Sequence, residues 1–232
     1  MPESPKTAKK ALIAGASGLV GSELYKLLLA SPLYEQVTVL ARRPLNEAML
    51  RLPGAEKLII HTLDFNELHK YKHAFQVDDV FCCIGSTIRQ AGSRGMFEHI
   101  DLHYPVELGS LARSGQAGCF VVISAMGADP GALVFYSRVK GYMERKLAGL
   151  GLNNLIIVRP SLLLGKRKEV RLGERAAAAL APALSALLVG PLAKYRPIAA
   201  KQVAAAMFAL AQRKANADVA VYTSDQLAGL VQ

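Results

Sequence analysis

The sequence predicts an α/β protein built on a doubly wound parallel sheet. Three observations carry this expectation. Short apolar runs recur along the chain and are continuous rather than alternating, as strands buried on both faces require. Stretches of helical spacing separate them, the pattern of strand, helix and strand that builds such a sheet. The first run ends in glycines at 15, 18 and 21, spaced to turn a strand into a helix.

Taken in order, residues 1–9 form a polar tail with no apolar stretch, which argues against a signal peptide. The first strand is the run Ala11–Ala14. Leu24, Leu27 and Leu28 then give helical spacing over Ser22–Ala30. Further strands are expected at Val37–Ala41, Leu58–Thr62, Asp79–Ile84, Cys119–Ser124 and Leu155–Val158. A helix over Phe97–Ala112 places Ile100, Tyr104, Leu108 and Leu111 on one face. Another over Phe135–Leu150 does the same with Val139, Met143 and Leu147. Residues 10–232 read as a single domain.

Within it, 165–232 is expected to cap the open end of the sheet. A basic stretch (165–175) leads to an Ala-rich run, then to a helix over Lys201–Arg213 and an apolar patch at Val219–Tyr222. The run Ala176–Ala193 carries no charge over 18 residues but contains Pro182, Ser185, Gly190 and Pro191. It reads as a packed helix followed by a turn, not as a membrane span.

Apolar residues make up 52% of the 232 and charged residues 20%, enough for a core and too few charges for general disorder. With no Trp, that core must be mainly aliphatic. The net charge of +10 favours anionic partners, such as a phosphate-rich cofactor or an acidic substrate. No nucleic-acid-binding motif accompanies it. Cys82, Cys83 and Cys119 fall inside apolar runs, with no metal-site spacing, so a reduced, cytoplasmic setting is expected. His99 and His103 share one helix face, but no third ligand is apparent and no metal is expected. Oligomeric state is left open.

Residues 15–21 read Gly-Ala-Ser-Gly-Leu-Val-Gly. Gly15 permits a tight turn, Gly18 lets the backbone approach a diphosphate, and Gly21 allows close helix–strand packing. Ser17, Leu19 and Val20 complete the turn, and the helix that follows offers free N–H groups and a favourable dipole to an anion. An NAD site usually places a carboxylate at the end of the second strand. This chain has Arg42 and Arg43 there instead. Guanidinium groups suit a 2′-phosphate, so NADP(H) is favoured over NAD(H). Asp64, after the third strand, either reaches the adenine or caps the helix that follows.

Tyr136 and Lys140 stand at i and i+4, neighbours on one helical face. An ammonium beside a phenol lowers its pKa from about 10, which would let Tyr136 exchange a proton near neutral pH. Lys140 could also bond the nicotinamide ribose. Ser124 closes the fifth strand, at the edge where parallel sheets bind ligands, and is expected to meet a substrate oxygen.

With these motifs on the page, the chain resembles the atypical short-chain dehydrogenases. The run from Phe81 to Phe97, Phe-Cys-Cys-Ile-Gly-Ser-Thr-Ile-Arg-Gln-Ala-Gly-Ser-Arg-Gly-Met-Phe, is similar to the Tat-interacting-protein oxidoreductase family. So are Asp101, Tyr104, the run Val158-Arg-Pro-Ser161 and the residues Gly165, Arg167, Glu169 and Arg171. The resemblance implies a Rossmann fold that binds NADPH and a catalytic set of Ser124, Tyr136 and Lys140. It also implies that Gly85, Ser86 and Thr87 lie near the cofactor and that Arg159, Pro160 and Ser161 lie near the nicotinamide. One departure matters. Many short-chain dehydrogenases carry an Asn in the helix before strand five, as part of a proton relay. This chain has Asp101, His103 and Tyr104 there, so the relay is either rebuilt or absent.

The expected function is an NADP(H)-dependent oxidoreductase that passes a hydride to or from a small carbonyl or hydroxyl substrate. The alternative is a catalytically weak NADPH-binding sensor or regulator. Epimerisation or dehydration of a nucleotide sugar would use the same side chains, but the chain is short for the sugar-binding domain that such enzymes carry.

Overall fold

The computed structural model describes residues 8–165, 188–213 and 218–231. Most of the expected Ala-rich helix and nearly all of the basic stretch before it lie outside the described residues. Nine strands are described: β1 (Lys9–Ala14), β2 (Tyr34–Ala41), β3 (Leu58–Thr62), β4 (Asp79–Cys82), β5 (Cys119–Ile123), β6 (Leu155–Arg159), β7 (Leu163–Leu164), β8 (Ile198–Ala199) and β9 (Val219–Thr223). Eight α-helices join them: α1 (Leu19–Ala30), α2 (Glu47–Leu50), α3 (Ile88–Ala91), α4 (Arg94–Glu98), α5 (Tyr104–Ser114), α6 (Phe135–Ala148), α7 (Ala200–Ala211) and α8 (Ser224–Gly229).

Seven strands form one sheet in the order β3-β2-β1-β4-β5-β6-β9, and every ladder in it is parallel. The winding reverses between β1 and β4. That reversal opens a crevice at their carboxyl ends, the place where such sheets bind ligands. Strand residues alternate between two cores. Leu12, Val80, Phe120, Val122 and Leu155 face α5 and α6, meeting Leu108, Val139, Met143 and Leu147. Ile13, Val37, Val39, Phe81 and Val121 face the other way, onto Leu24, Tyr25 and Leu28 of α1. This double burial is why the strand sequences read as continuous apolar runs. β3 departs from it. At the sheet's margin, Ile59 is 41% exposed and Ile60 37%.

Among the described residues of 165–232, β9 is the seventh strand of the sheet, and α7 packs Val203, Ala206, Met207 and Leu210 into the core shared with α1. The small Ala side chains of α7 let the two helices approach closely, and the sheet face over β1 and β2 needs that cover. Beyond β6, the short β7–β8 ladder pairs Leu163–Leu164 with Ile198–Ala199, and a 3-10 turn spans Gly190–Tyr195.

The helix expected over Phe97–Ala112 is not uniform. A π turn at His99–His103 separates α4 from α5. The extra residue in that turn leaves Asp101 fully buried. Such turns recur at functional positions.

At the opposite end of the sheet the Asp79 carboxylate, 2% exposed, accepts from Lys9 Nζ at 2.9 Å and Tyr34 Oη at 2.6 Å. Gln212 Nε2 donates to the same phenol at 2.7 Å. Burial pushes the Asp79 carboxyl up, against the opposing hydrogen bonds from Tyr34 and Lys9. The cluster ties β1, β2 and β4 to the end of α7.

Candidate active site

The glycine turn is built by close backbone approach. Gly15 has φ +90°, and a Cβ there would lie 2.6 Å from the Cys83 carbonyl. A Cβ on Gly21 would stand 2.1 Å from the Gly15 carbonyl oxygen. Gly18 N donates to Gly15 O at 3.0 Å, closing the turn, and Gly18 is the N-cap of α1 without a side-chain cap. No acidic residue occupies the first turn of α1. An uncapped helix start with a bare backbone and no competing carboxylate is the arrangement a dinucleotide diphosphate needs. The residues present therefore fit the cofactor. Gly21→Ala is expected to cost about 1–3 kcal/mol of stability through overpacking. It should also weaken dinucleotide binding about tenfold or more, read by denaturation and by titration with reduced cofactor.

The loop after β4 lies against this turn. Cys83 N donates to Ala14 O at 2.8 Å, and two residues on, a Cβ at Gly85 would sit 3.4 Å from Asp101 Oδ1 and 3.9 Å from Lys140 Nζ. The second glycine loop thus bridges the first to a buried ion pair. Lys140 Nζ and Asp101 Oδ1 are 2.8 Å apart, with side chains 3% and 1% exposed. Asp101 Oδ2 accepts from Ser86 N at 2.8 Å and Ser86 Oγ at 3.0 Å. Burial alone would depress the Lys140 ammonium, but the charges of Asp101 and then Tyr136 outweigh it and hold the pKa above its ordinary value. Asp101 is therefore a buried carboxylate that grips the lysine directly.

Tyr136 lies one helical turn before Lys140, half-buried, with its ring 5.5 Å from Phe97. Phe135 beside it packs 6.0 Å from the same ring. Ser124 follows β5 directly. Ser124 is 3% exposed, and its hydroxyl donates to Glu144 on α6. Glu144 also takes the Arg159 guanidinium, with Nε 3.0 and 3.2 Å from its two oxygens. A buried carboxylate draws the donors around it, because leaving it unpaired would cost several kcal/mol.

The other expected site residues fall as follows. Ser17 is exposed within the turn, while Leu19 and Val20 open α1. Leu19 also meets the far segment: a Cβ on Gly165 would lie 2.7 Å from its Cδ1. Arg42 and Arg43 are exposed just past β2, with no carboxylate beside them in the chain. Of the two roles open to Asp64, the structure shows the cap, its carboxylate accepting from Asn66 N at 3.0 Å. Thr87 caps α3 through Gln90 N at 3.1 Å. The Pro160 carbonyl accepts from Met126 N at 3.1 Å, and the Ser161 hydroxyl donates to the Arg196 carbonyl.

Asp101 and Glu144 are the residues that sequence reasoning missed as partners. Glu144 follows Tyr136 and Lys140 at the same i+4 step, a signal that was available. Asp101 gave none beyond its place in the chain.

The three cysteines are free thiols. Burial pushes Cys82 up to about 11 and Cys119 up to about 12, which makes both inert as nucleophiles. His99 bonds Asn66 at 2.8 Å, and among the described residues no group of three metal-ligating side chains gathers. None of the described helices is long and apolar enough to cross a membrane.

Comparison with known proteins agrees with this geometry. The family model described as "NAD dependent epimerase/dehydratase family" matches residues 11–222. The chain is 37% identical over 167 residues to Protein HTATIP2 of Rattus norvegicus, covering 72% of this chain and 67% of that one. It is 32% identical over 162 residues to Protein FMP52, mitochondrial, of Candida albicans, covering 68% of each. Among solved structures, the Bordetella bronchiseptica enzyme WbmH in complex with NAD+ superposes with a TM-score of 0.70 at 15% identity, covering 94% of this chain and 76% of that one. With a doubly wound sheet, a glycine turn at its switch point and a model match over nearly the whole length, the chain belongs to the NAD-dependent epimerase/dehydratase family and is an atypical short-chain dehydrogenase.

Proposed function

We propose that the protein is an NADP(H)-dependent oxidoreductase acting on a carbonyl or hydroxyl group, with Tyr136 as its general acid and base. One observation supports this reading above the others. The buried Lys140–Asp101 pair abuts the glycine turn through Gly85 and Cys83, so the phosphate cradle and the Tyr136 helix converge on one crevice.

In this reading, Gly15, Ser17, Gly18, Leu19, Val20 and Gly21 hold the diphosphate, and Arg42 and Arg43 hold the 2′-phosphate. Gly85, Ser86 and Thr87 line the middle of the cofactor. When bound, the reduced nicotinamide supplies the hydride. Tyr136 gives its phenolic proton to the substrate oxygen, or takes one in the reverse direction. Lys140 stays charged because Asp101 holds it, and its remaining N–H groups are free to orient a ribose hydroxyl beside the phenol. The three thiols, all free, fit a reducing and cytoplasmic location.

Titration with NADPH and with NADH tests the cofactor reading. NADPH is expected to bind more tightly. Arg42→Ala should cost NADPH about tenfold or more, the worth of a charge-assisted contact, while NADH changes little. Equal losses for both nucleotides would remove the basis for preferring NADP(H).

A second reading has its own support. The Ser124 hydroxyl is occupied by Glu144 and so does not offer the second donor that substrate polarisation uses. A protein that holds NADPH and turns over slowly, acting as a sensor of the cofactor's redox state, fits that detail. Tight NADPH binding without turnover of any carbonyl would favour it.

A further inference from the structure

We propose that Asp101 is a positioning residue that couples cofactor binding to the proton chemistry of Tyr136, because one carboxylate holds both Lys140 and the loop assigned to the cofactor. The proposal rests on the oxidoreductase reading above and names how the same site is regulated, by its own cofactor.

The geometry is that of a shared acceptor. Asp101 Oδ1 stands 2.8 Å from Lys140 Nζ. Its Oδ2 accepts from the backbone N–H of Ser86 at 2.8 Å and from the Ser86 hydroxyl at 3.0 Å. A carboxylate accepts on both oxygens, so the lysine and the loop do not compete for it. Asp101 lies in the π turn between α4 and α5 and is fully buried, so its charge is not spread into water. Gly85 closes the arrangement. A Cβ there would sit 3.4 Å from Oδ1 and 3.9 Å from Nζ, so the loop backbone rests on the ion pair itself. The start of the same loop is fixed to the first strand, where Cys83 N donates to Ala14 O at 2.8 Å, one residue before the glycine turn.

Charge makes this a coupling as well as a tether. The titratable groups that act on the Lys140 ammonium are Asp101 from the π turn, Tyr136 from its own helix and Cys82 from β4. Burial is the largest influence and opposes the charge, and Asp101 is the largest that favours it. Burial also pushes the Cys82 thiol up to about 11, so below that pH the thiol is neutral and Asp101 supplies the counter-charge. Neutralising or displacing Asp101 withdraws it, and a buried lysine without a partner gives up its proton at lower pH. The neutral amine then no longer favours the Tyr136 phenolate and no longer attracts an anionic cofactor. By linkage the effect is mutual. Whatever seats the Ser86 loop on Asp101 steadies the ammonium, and a charged Lys140 steadies the loop. Cofactor bound against that loop is thereby felt at the phenol.

NADPH affinity, measured by equilibrium titration between pH 7 and pH 11, tests this without any turnover. In the unaltered protein the dissociation constant should stay within about twofold up to about pH 10, because Lys140 keeps its proton across that range. Asp101→Asn should bring the onset of weakening down by about one pH unit or more, and weaken binding at pH 9 about tenfold. Ser86→Ala keeps the carboxylate and removes one of its donors. It should weaken NADPH about threefold or more and move the onset in the same direction, and it decides the matter if Asp101→Asn proves too unstable to assay. Ser86→Thr returns a hydroxyl and should restore both quantities. The alkaline fall in kcat/KM for reduction of an aldehyde should move with the binding curve in each variant. Three outcomes overturn the coupling while leaving cofactor binding intact. They are an Asp101→Asn curve that overlies that of the unaltered protein, a Ser86→Ala variant with unchanged affinity and onset, and a loss that is equal at every pH, the mark of a purely structural role. Failure of both NADPH and NADH to bind overturns the reading beneath it, and the inference with it.

Discussion

Asp101→Ala is expected to destabilise the protein by about 3–5 kcal/mol, among the largest losses any single substitution here should produce. The reason is what it leaves behind. Lys140 is 3% exposed and Asp101 is its ion-pair partner, so the variant strands an ammonium in a dry interior. It also removes the acceptor for both the backbone N–H and the hydroxyl of Ser86. Chemical denaturation reads the loss as a lower midpoint at unchanged slope. Asp101→Asn keeps an acceptor for Ser86 but not the charge, and should fall between. An unshifted midpoint in the alanine variant would mean that the pair contributes nothing net.

The sign of the pH dependence follows from the lysine. Burial lowers its pKa, yet Asp101 and Tyr136 more than offset that, leaving the folded value above the unfolded value of about 10.4. The stability it contributes is therefore complete below about pH 10.4 and is lost as the pH rises through the folded value.

Tyr136→Phe is the counterpart, with a large effect on rate and little on the fold. Removing one hydroxyl keeps the ring that packs 5.5 Å from Phe97, so the denaturation midpoint should stay in place. Loss of a positioned acid should lower kcat about 10²–10⁴-fold at unchanged NADPH affinity. Steady-state reduction of an aldehyde, with cofactor binding measured separately, distinguishes the two quantities. A variant with undiminished kcat would relieve Tyr136 of the role proposed for it.

These two residues mark where sequence reasoning succeeds and where it stops. The glycine turn and the Tyr136–Lys140 pair are local patterns, fixed by backbone sterics and by the 3.6-residue period, and both stand in the structure as their spacing implies. Asp101 meets Lys140 from a different helix, through a π turn that periodicity does not encode. Ser124 was placed correctly at the end of a strand, but its hydroxyl answers to Glu144, whose charge must be met from whatever donors surround it. The C-terminal strand is five residues long and lies at an edge, with Val219 and Val221 exposed, so its sequence reads as an isolated apolar patch. Only its register beside β6 gives it away.

The pairing of α1 with α7 bears on how the polypeptide is made. Leu24 and Leu28 belong to the same core as Met207 and Leu210, and Met207 follows Leu28 by 179 residues. At 5–20 residues per second, a ribosome needs on the order of ten to forty seconds to supply the second helix after the first has emerged. Through that interval the early strands and α1 hold an oily stripe with no lid, open to chaperones and to neighbouring nascent chains. The dehydrogenase body is thus finished by its last elements rather than its first, and a chain released early would carry its phosphate turn on a half-covered sheet.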